Sequence, residues 1–396
     1  MIERQRYMKK LREFQDMKVI KVITGIRRCG KSTLLLMFQE ELKESGINDK
    51  QIISINFENL AFSELTDYMK LHEYIEQKLN DHEKFYIFLD EVQLVDHFQK
   101  VVDSLFLKNN VDIYITGSNA QLLSGEISTL LSGRYVEIEM LPLSFKEYVD
   151  ARKAPSNLNR LYSDYLQNSS FPLSLQMNTR EQVKAYLQGV YNTVVMKDIL
   201  SRNKIADPMM LESVIYFLFD NIGNILSTKK IADTMTSYGR KIDIRTVESY
   251  ITALRNAFIV YQAKRFDVKG KHHLKTLEKY YIVDIGLRYN LLGYRNTDVG
   301  HILENVVYLE LLRRDYKVSV GKMGDLEIDF AAENQDGIKY FQVAATVREE
   351  KTLERELTPL RKIRDSYPKC VLTLDEDPQR DFDGIWVYNA LDFLLE

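Results

Sequence analysis

The stretch Thr24-Gly25-Ile26-Arg27-Arg28-Cys29-Gly30-Lys31-Ser32-Thr33 decides how the rest of this chain is read. It fits the pattern G-x-x-x-x-G-K-[ST]. A strand-like run, Val19–Thr24, precedes it, and a helical pattern from Lys31 to about Glu44 follows. Two glycines let the backbone curl until its N–H groups converge on phosphate oxygens, with the positive helix end behind them. Lys31 would reach the β- and γ-phosphates of a nucleoside triphosphate, Ser32 would ligate Mg²⁺, and Thr33 would lie near the α-phosphate. The expected nucleotide contacts are therefore Gly25, Arg28, Cys29, Gly30, Lys31, Ser32 and Thr33. Cys29 reads as a small filler of the loop rather than a redox sensor.

Outward from this loop, short apolar runs alternate with helical patterns. The runs are Ile52–Phe57, Phe85–Leu89, Val111–Thr116 and Tyr135–Leu141. That alternation specifies a mostly parallel sheet covered on both faces. A phosphate cradle alone does not hydrolyse ATP; a carboxylate must hold Mg²⁺ and another must position the attacking water. Phe85–Leu89 runs directly into Asp90 and Glu91, which supply both. Asp90 is the expected metal carboxylate and Glu91 the expected base. The next strand ends Thr116-Gly117-Ser118-Asn119. Open sheets bind ligands at the carboxyl ends of their strands, so Asn119 or Ser118 would sense the γ-phosphate, unless the tip is a simple turn. Arg134, just before the last run, is either a stabiliser of transition-state charge or a surface cation.

These residues resemble prokaryotic AAA-type ATPases of the additional-strand P-loop division. The hallmarks are Gly25–Thr33, Leu89–Val92, Thr116–Asn119, Leu131–Tyr135 and Leu141–Tyr148. The resemblance covers nearly the whole chain. It implies an ATPase core over residues 1–145, a helical lid over 146–225, a winged-helix segment over 226–292 and a nuclease-like domain over 293–396. The expected fold class is thus α/β, with a P-loop NTPase sheet, and the expected cofactors are ATP and Mg²⁺.

Composition agrees with several cores in one chain. The 396 residues exceed what one hydrophobic core usually serves. With 45% hydrophobic and 28% charged residues they match ordinary soluble proteins. No run reaches the roughly 18 apolar residues of a membrane span, and the charged amino terminus lacks a signal peptide's apolar core. Two cysteines make no disulfide framework. The sequence reads as cytoplasmic and free of membrane contact.

The net charge of −3 conceals an asymmetry. Residues 221–290 hold 13 Lys and Arg against 6 Asp and Glu, a net of +7, leaving −10 for the rest. Thr228–Met235 and Ile244–Phe258 read as the two helices of a helix-turn-helix, and Val268–Lys275 as a wing between two strands. Lys229, Lys230, Arg245, Ser249, Lys269 and Lys271 would face DNA phosphates and base edges. The alternative is a protein partner docked on a solvated basic face. His272 and His273 read as exposed loop residues rather than metal ligands.

The last hundred residues give helix, three strands, helix, strand, an order resembling the PD-(D/E)xK nuclease superfamily. The resemblance places Glu304, Asp329 and Gln342 at the metal-ligand positions. Where its pattern requires a lysine, this chain has Ala344, and Gln342 replaces a carboxylate. Both changes weaken metal affinity and charge stabilisation, so the domain is expected to have lost nuclease activity. A lysine from elsewhere, such as Lys322, would restore it. The leading function is ATP hydrolysis that moves DNA- or protein-contacting modules. A slow nucleotide-dependent switch and a metal-dependent nuclease stay open, as does a homo-oligomer in which Arg134 serves a neighbour.

Overall fold

A computed structural model describes residues 2–120, 133–152, 157–203, 205–270, 272–274, 277–294, 298–376 and 380–396, with the side chains of 195–197 and 273 left aside. Leu131, Ser132 and Lys271 lie outside the described residues. The chain forms two compact units: Met1–Pro142 with Asn256–Phe258, and Leu143–Arg255 with Ile259–Glu396.

In the first unit α1 (Gln5–Phe14) leads into β1 (Ile20–Thr24), α2 (Lys31–Glu44), β2 (Ile52–Asn56), α3 (Tyr68–Glu76), β3 (Phe85–Asp90), α4 (Phe98–Phe106), β4 (Val111–Thr116) and β5 (Tyr135–Glu139). The five strands form one parallel sheet in the order β2-β3-β4-β1-β5. Every residue of β1, β3 and β4 is buried. Their β-branched and aromatic runs suit strands covered on both faces. Because β4 is inserted between β1 and β3, its last residue, Thr116, lies between the glycine loop and Asp90. This is the P-loop NTPase architecture expected from the sequence.

In the second unit helices dominate first: α5 (Phe145–Arg152), α6 (Leu158–Asn168), α7 (Arg180–Tyr191) and α8 (Pro208–Asp220). The basic stretch follows as β6 (Ile225–Leu226), α9 (Thr228–Ser237), α10 (Ile244–Asn256), β7 (Val260–Ala263), β8 (Arg265–Asp267), β9 (His272–His273) and β10 (Glu278–Ile282). Val247, Tyr250, Ile251 and Leu254 make the buried stripe of α10. Next come α11 (Ile285–Leu292), α12 (Val299–Arg313), β11 (Lys317–Met323), β12 (Leu326–Asn334), β13 (Gly337–Ala344), α13 (Glu350–Arg361), β14 (Lys369–Thr373), β15 (Arg380–Phe382), β16 (Ile385–Asn389) and α14 (Ala390–Leu395).

Two sheets organise these elements. One joins β6, β10 and β7; the other runs β15-β16-β14-β13-β12-β11-β8-β9. β8 pairs in parallel with β11, and β9 folds back on β8. The hairpin of β8 and β9, where a wing was expected, therefore extends the carboxyl-terminal sheet, and sheet pairing crosses the boundary drawn at residue 292. The physical reason is edge pairing: β11 would otherwise expose its unpaired N–H and C=O groups. No helix among the described residues is long and apolar enough to cross a membrane.

Gly286 opens α11 against the turn after α6. A Cβ there would lie 2.7 Å from the Ser169 Cβ and 2.8 Å from its Cα. Helix propensity alone favours Gly286→Ala by about 1 kcal/mol, whereas this backbone contact opposes it. Gly286→Ala is expected to destabilise the protein by about 1–3 kcal/mol in urea unfolding, because the helix must shift.

Candidate functional site

The loop between β1 and α2 is shaped by close packing. Gly25 has φ +139°, and a Cβ on it would lie 2.2 Å from the carbonyl oxygen of Met140, just beyond β5. Gly30, with φ +105°, starts α2 from a left-handed conformation that favours glycine. The first turn of α2 thus presents its N–H groups and its positive dipole end to the loop. Lys31 begins that helix and is 4% exposed. Its ammonium donates to the carbonyl of Gly25 at 3.0 Å and that of Ile26 at 3.3 Å, and lies 3.7 Å from Glu91 Oε1. Cys29 is fully buried, and burial pushes its thiol up, which keeps it an unreactive filler. Ser32 is half-buried, whereas Arg28 and Thr33 are exposed.

The carboxylates meet this loop at the end of β3. Thr116 Oγ1 donates to Asp90 Oδ1 at 2.5 Å and accepts from the Glu91 backbone N–H at 2.9 Å. Asn56, at the end of β2, donates to Asp90 Oδ2 at 2.8 Å. Burial pushes the Asp90 carboxyl above the usual range, and hydroxyl hydrogen bonds from Ser32 and Thr116 pull against that shift. The two expected Mg²⁺ holders are thus Ser32 on the first turn of α2 and Asp90 at the end of β3. Glu91 is 6% exposed and adopts φ +57°, an uncommon left-handed conformation for a non-glycine residue. Its Oε2 accepts from Ser118 Oγ at 3.0 Å and from the Gln93 amide. Asn119 is buried one residue beyond Ser118.

Arg134 is the exception. Its carbonyl accepts from the Ile20 N–H, and β5 runs parallel to β1 from Ile20↔Tyr135 to Thr24↔Glu139. Arg134 therefore sits at the amino end of the sheet, while the glycine loop leaves the carboxyl end. Its guanidinium pairs with Asp103 of α4 and lies over the Phe106 ring. Of the readings left open for Arg134, strand polarity disfavours a place beside its own chain's γ-phosphate.

Several residues of this corner escaped the sequence reading. Arg4, only 4% exposed, donates to the carbonyls of Cys29 at 3.0 Å and Leu141 at 2.6 Å, tying the loop to the segment after β5. The hydroxyl oxygen of Tyr7 in α1 accepts from the Leu141 N–H at 3.0 Å. Thr116, Asn56 and Gln93 complete the carboxylate network. Only Thr116 carried a sequence signal, as the last residue of a strand beside the expected site.

The other expected residues lie in the second unit. Lys229, Lys230, Arg245, Ser249 and Lys269 are all exposed. Glu304 of α12 and Asp329 of β12 meet around one lysine, but it is Lys279 of β10 rather than Lys322. Gln342 of β13 accepts from the Asp329 N–H at 2.7 Å.

The sequence profile of the AAA domain matches residues 17–149, and that of a domain of unknown function (DUF8612) matches residues 159–298. An uncharacterized protein of Haemophilus influenzae is 42% identical over 400 residues, covering 100% of this chain and 99% of that one. The chain belongs to this family of AAA-domain, P-loop ATPase-type proteins. An uncharacterized protein of Methanocaldococcus jannaschii is 29% identical over 336 residues, 78% of this chain and 71% of its own. A Walker-type ATPase of Pyrococcus abyssi has a similar fold, with TM-score 0.50 and 17% identity over 74% of this chain and 96% of that one.

Arg4 supports the loop without belonging to it. Arg4→Met leaves buried carbonyls without a donor, a cost of about 1–2 kcal/mol. It is expected to weaken binding of a fluorescent ATP analogue by about tenfold, while Lys9→Met, at an exposed position of α1, leaves binding unchanged.

Proposed function

We propose that this AAA-domain protein binds ATP with Mg²⁺ at the P-loop, hydrolyses it, and uses the cycle to move the DNA- or protein-contacting surfaces of its second unit. The observation that carries this reading is the convergence of Lys31, Asp90 and Glu91 at one end of the sheet, with Thr116 linking the Asp90 carboxylate to the Glu91 backbone. The site fits its ligands. The Lys31 ammonium is buried and rests on carbonyl oxygens that phosphate oxygens can replace. Ser32 and Asp90 would hold Mg²⁺, which when bound neutralises charge on the phosphates. Glu91 would orient the attacking water and accept its proton once it leaves Ser118 and Gln93. A role for Arg134 in transition-state charge requires a second copy of the chain, since its own P-loop lies at the other end of the sheet.

Steady-state turnover with Mg²⁺ tests the reading. Lys31→Ala should abolish ATP binding, and Glu91→Gln should keep binding while slowing hydrolysis by about 10²–10³-fold. Wild-type hydrolysis by Lys31→Ala would overturn it. A wild-type chain that traps nucleotide with negligible turnover would instead make the protein a nucleotide-dependent switch.

For the second unit, the exposure of Lys229, Lys230, Arg245 and Lys269 within a basic stretch supports DNA as the partner. Affinity for duplex DNA should then fall with salt at about −0.9 log units per neutralised phosphate, and the Lys229→Gln/Lys230→Gln pair should flatten that slope by about 2. Binding that ignores salt would leave the basic face to a protein.

A further inference from the structure

The second unit gathers opposite charges around one buried lysine, a cluster for which ATP hydrolysis has no use. Lys279 is the lone cation in the otherwise aromatic and aliphatic core of β10, and its side chain is 4% exposed. Its Nζ lies 2.8 Å from Glu304 Oε1, 2.7 Å from Glu327 Oε1 and 3.4 Å from Asp329 Oδ1. These carboxylates border a cavity of about 800 Å³. Burial works to discharge the lysine, but Glu304, Asp329 and Glu327 overrule it and keep it protonated.

The sequence resemblance leads one to expect a metal-dependent nuclease site here, yet the donors do not suit a metal ion. A divalent cation needs several carboxylate oxygens with free lone pairs. Here Glu304 Oε1 takes both Lys279 and the Tyr281 hydroxyl, at 2.6 Å. Asp329 Oδ2 accepts from the Val343 N–H at 2.9 Å, while Oδ1 faces Lys279. Gln342 is spent at both ends of its amide: Oε1 on the Asp329 N–H, and Nε2 on Glu356 at 2.9 Å. Among the described residues no group of His, Cys, Asp and Glu is arranged to hold a metal.

We propose that Lys279 is the permanent counter-ion of this pocket, taking the place of a divalent cation, so that the second unit works without metal and without cleaving phosphodiesters. The lysine is supplied from β10, between α10 and α12 in the chain, and fastens β10, α12 and β12 to one another through a single ammonium group. Such an internal cation needs no metal supply and leaves no Lewis acid to activate water.

Binding of Mn²⁺ alone to the nucleotide-free full chain, followed by electron paramagnetic resonance, tests this. Wild type and Asp329→Asn should bind equal amounts, since any ion near Asp90 and Ser32 is common to both. Lys279→Met should gain about one further Mn²⁺ per chain, as the carboxylates are freed, and adding Asp329→Asn should remove it. A Mn²⁺ ion present in wild type and lost in Asp329→Asn would overturn the proposal, as would a folded Lys279→Met chain that gains none. If Lys279→Met does not fold, the wild-type and Asp329→Asn comparison decides alone. Plasmid cleavage by wild type with Mn²⁺, lost in Asp329→Asn, would also overturn it. None of these outcomes depends on ATP turnover.

Discussion

An ammonium group taken out of water must be surrounded by oxygen, and the supply of that oxygen organises both units of this chain. In the first unit Lys31 lies among the carbonyls of its own loop and the carboxylate of Glu91. Those oxygens are available only because the loop is pinned in place. Gly25 lies so close to Met140 that no side chain fits between them, and Arg4 bonds the loop from behind. In the second unit Lys279 is held by three carboxylates from a helix and a strand. The contrast lies in what the partners permit. Neutral carbonyls release a lysine to a phosphate readily, whereas three carboxylates, one buried and two half-buried, retain it.

The P-loop corner is built from the ends of three adjacent strands. β4 separates β1 from β3, so the hydroxyl of Thr116 occupies the gap between loop and carboxylates and connects Asp90 to the Glu91 backbone. Glu91 pays for its placement with a left-handed backbone, a strain of order 1 kcal/mol that surrounding contacts must hold. Asp90 likewise stays buried although burial disfavours its charge. Strain and buried charge concentrated at one strand end mark a corner arranged for a ligand rather than for stability.

Much of this was legible in the sequence because it is local. The glycine loop, its strand and its helix occupy consecutive residues, and the β-branched runs before Asp90 and Thr116 mark their strands directly. What escaped was set by tertiary neighbours. Nothing in the spacing of Arg4 places it behind Cys29, because α1 must first pack. Arg134 adjoins its strand as expected, but strand direction puts it at the wrong end of the sheet for its own P-loop. Lys279 hid in a run of Tyr280, Tyr281 and Ile282, where a single lysine was the only signal, and its acids come from 25 to 50 residues away. The pairing of β8, just before the expected wing, escaped for the same reason: its partner β11 lies some fifty residues further on.

That shared edge limits how the protein can be divided. β8 and β9 belong by sequence to the basic stretch but complete the sheet that contains Asp329 and Gln342. A chain cut near residue 292 would strip β11 of β8, one of its two neighbours, leaving an uncovered ladder of peptide groups prone to self-association. It would also strand Glu304, Glu327 and Asp329 without their cation. The basic helices and the acidic pocket are thus inherited together, and neither can be transplanted as an independent cassette.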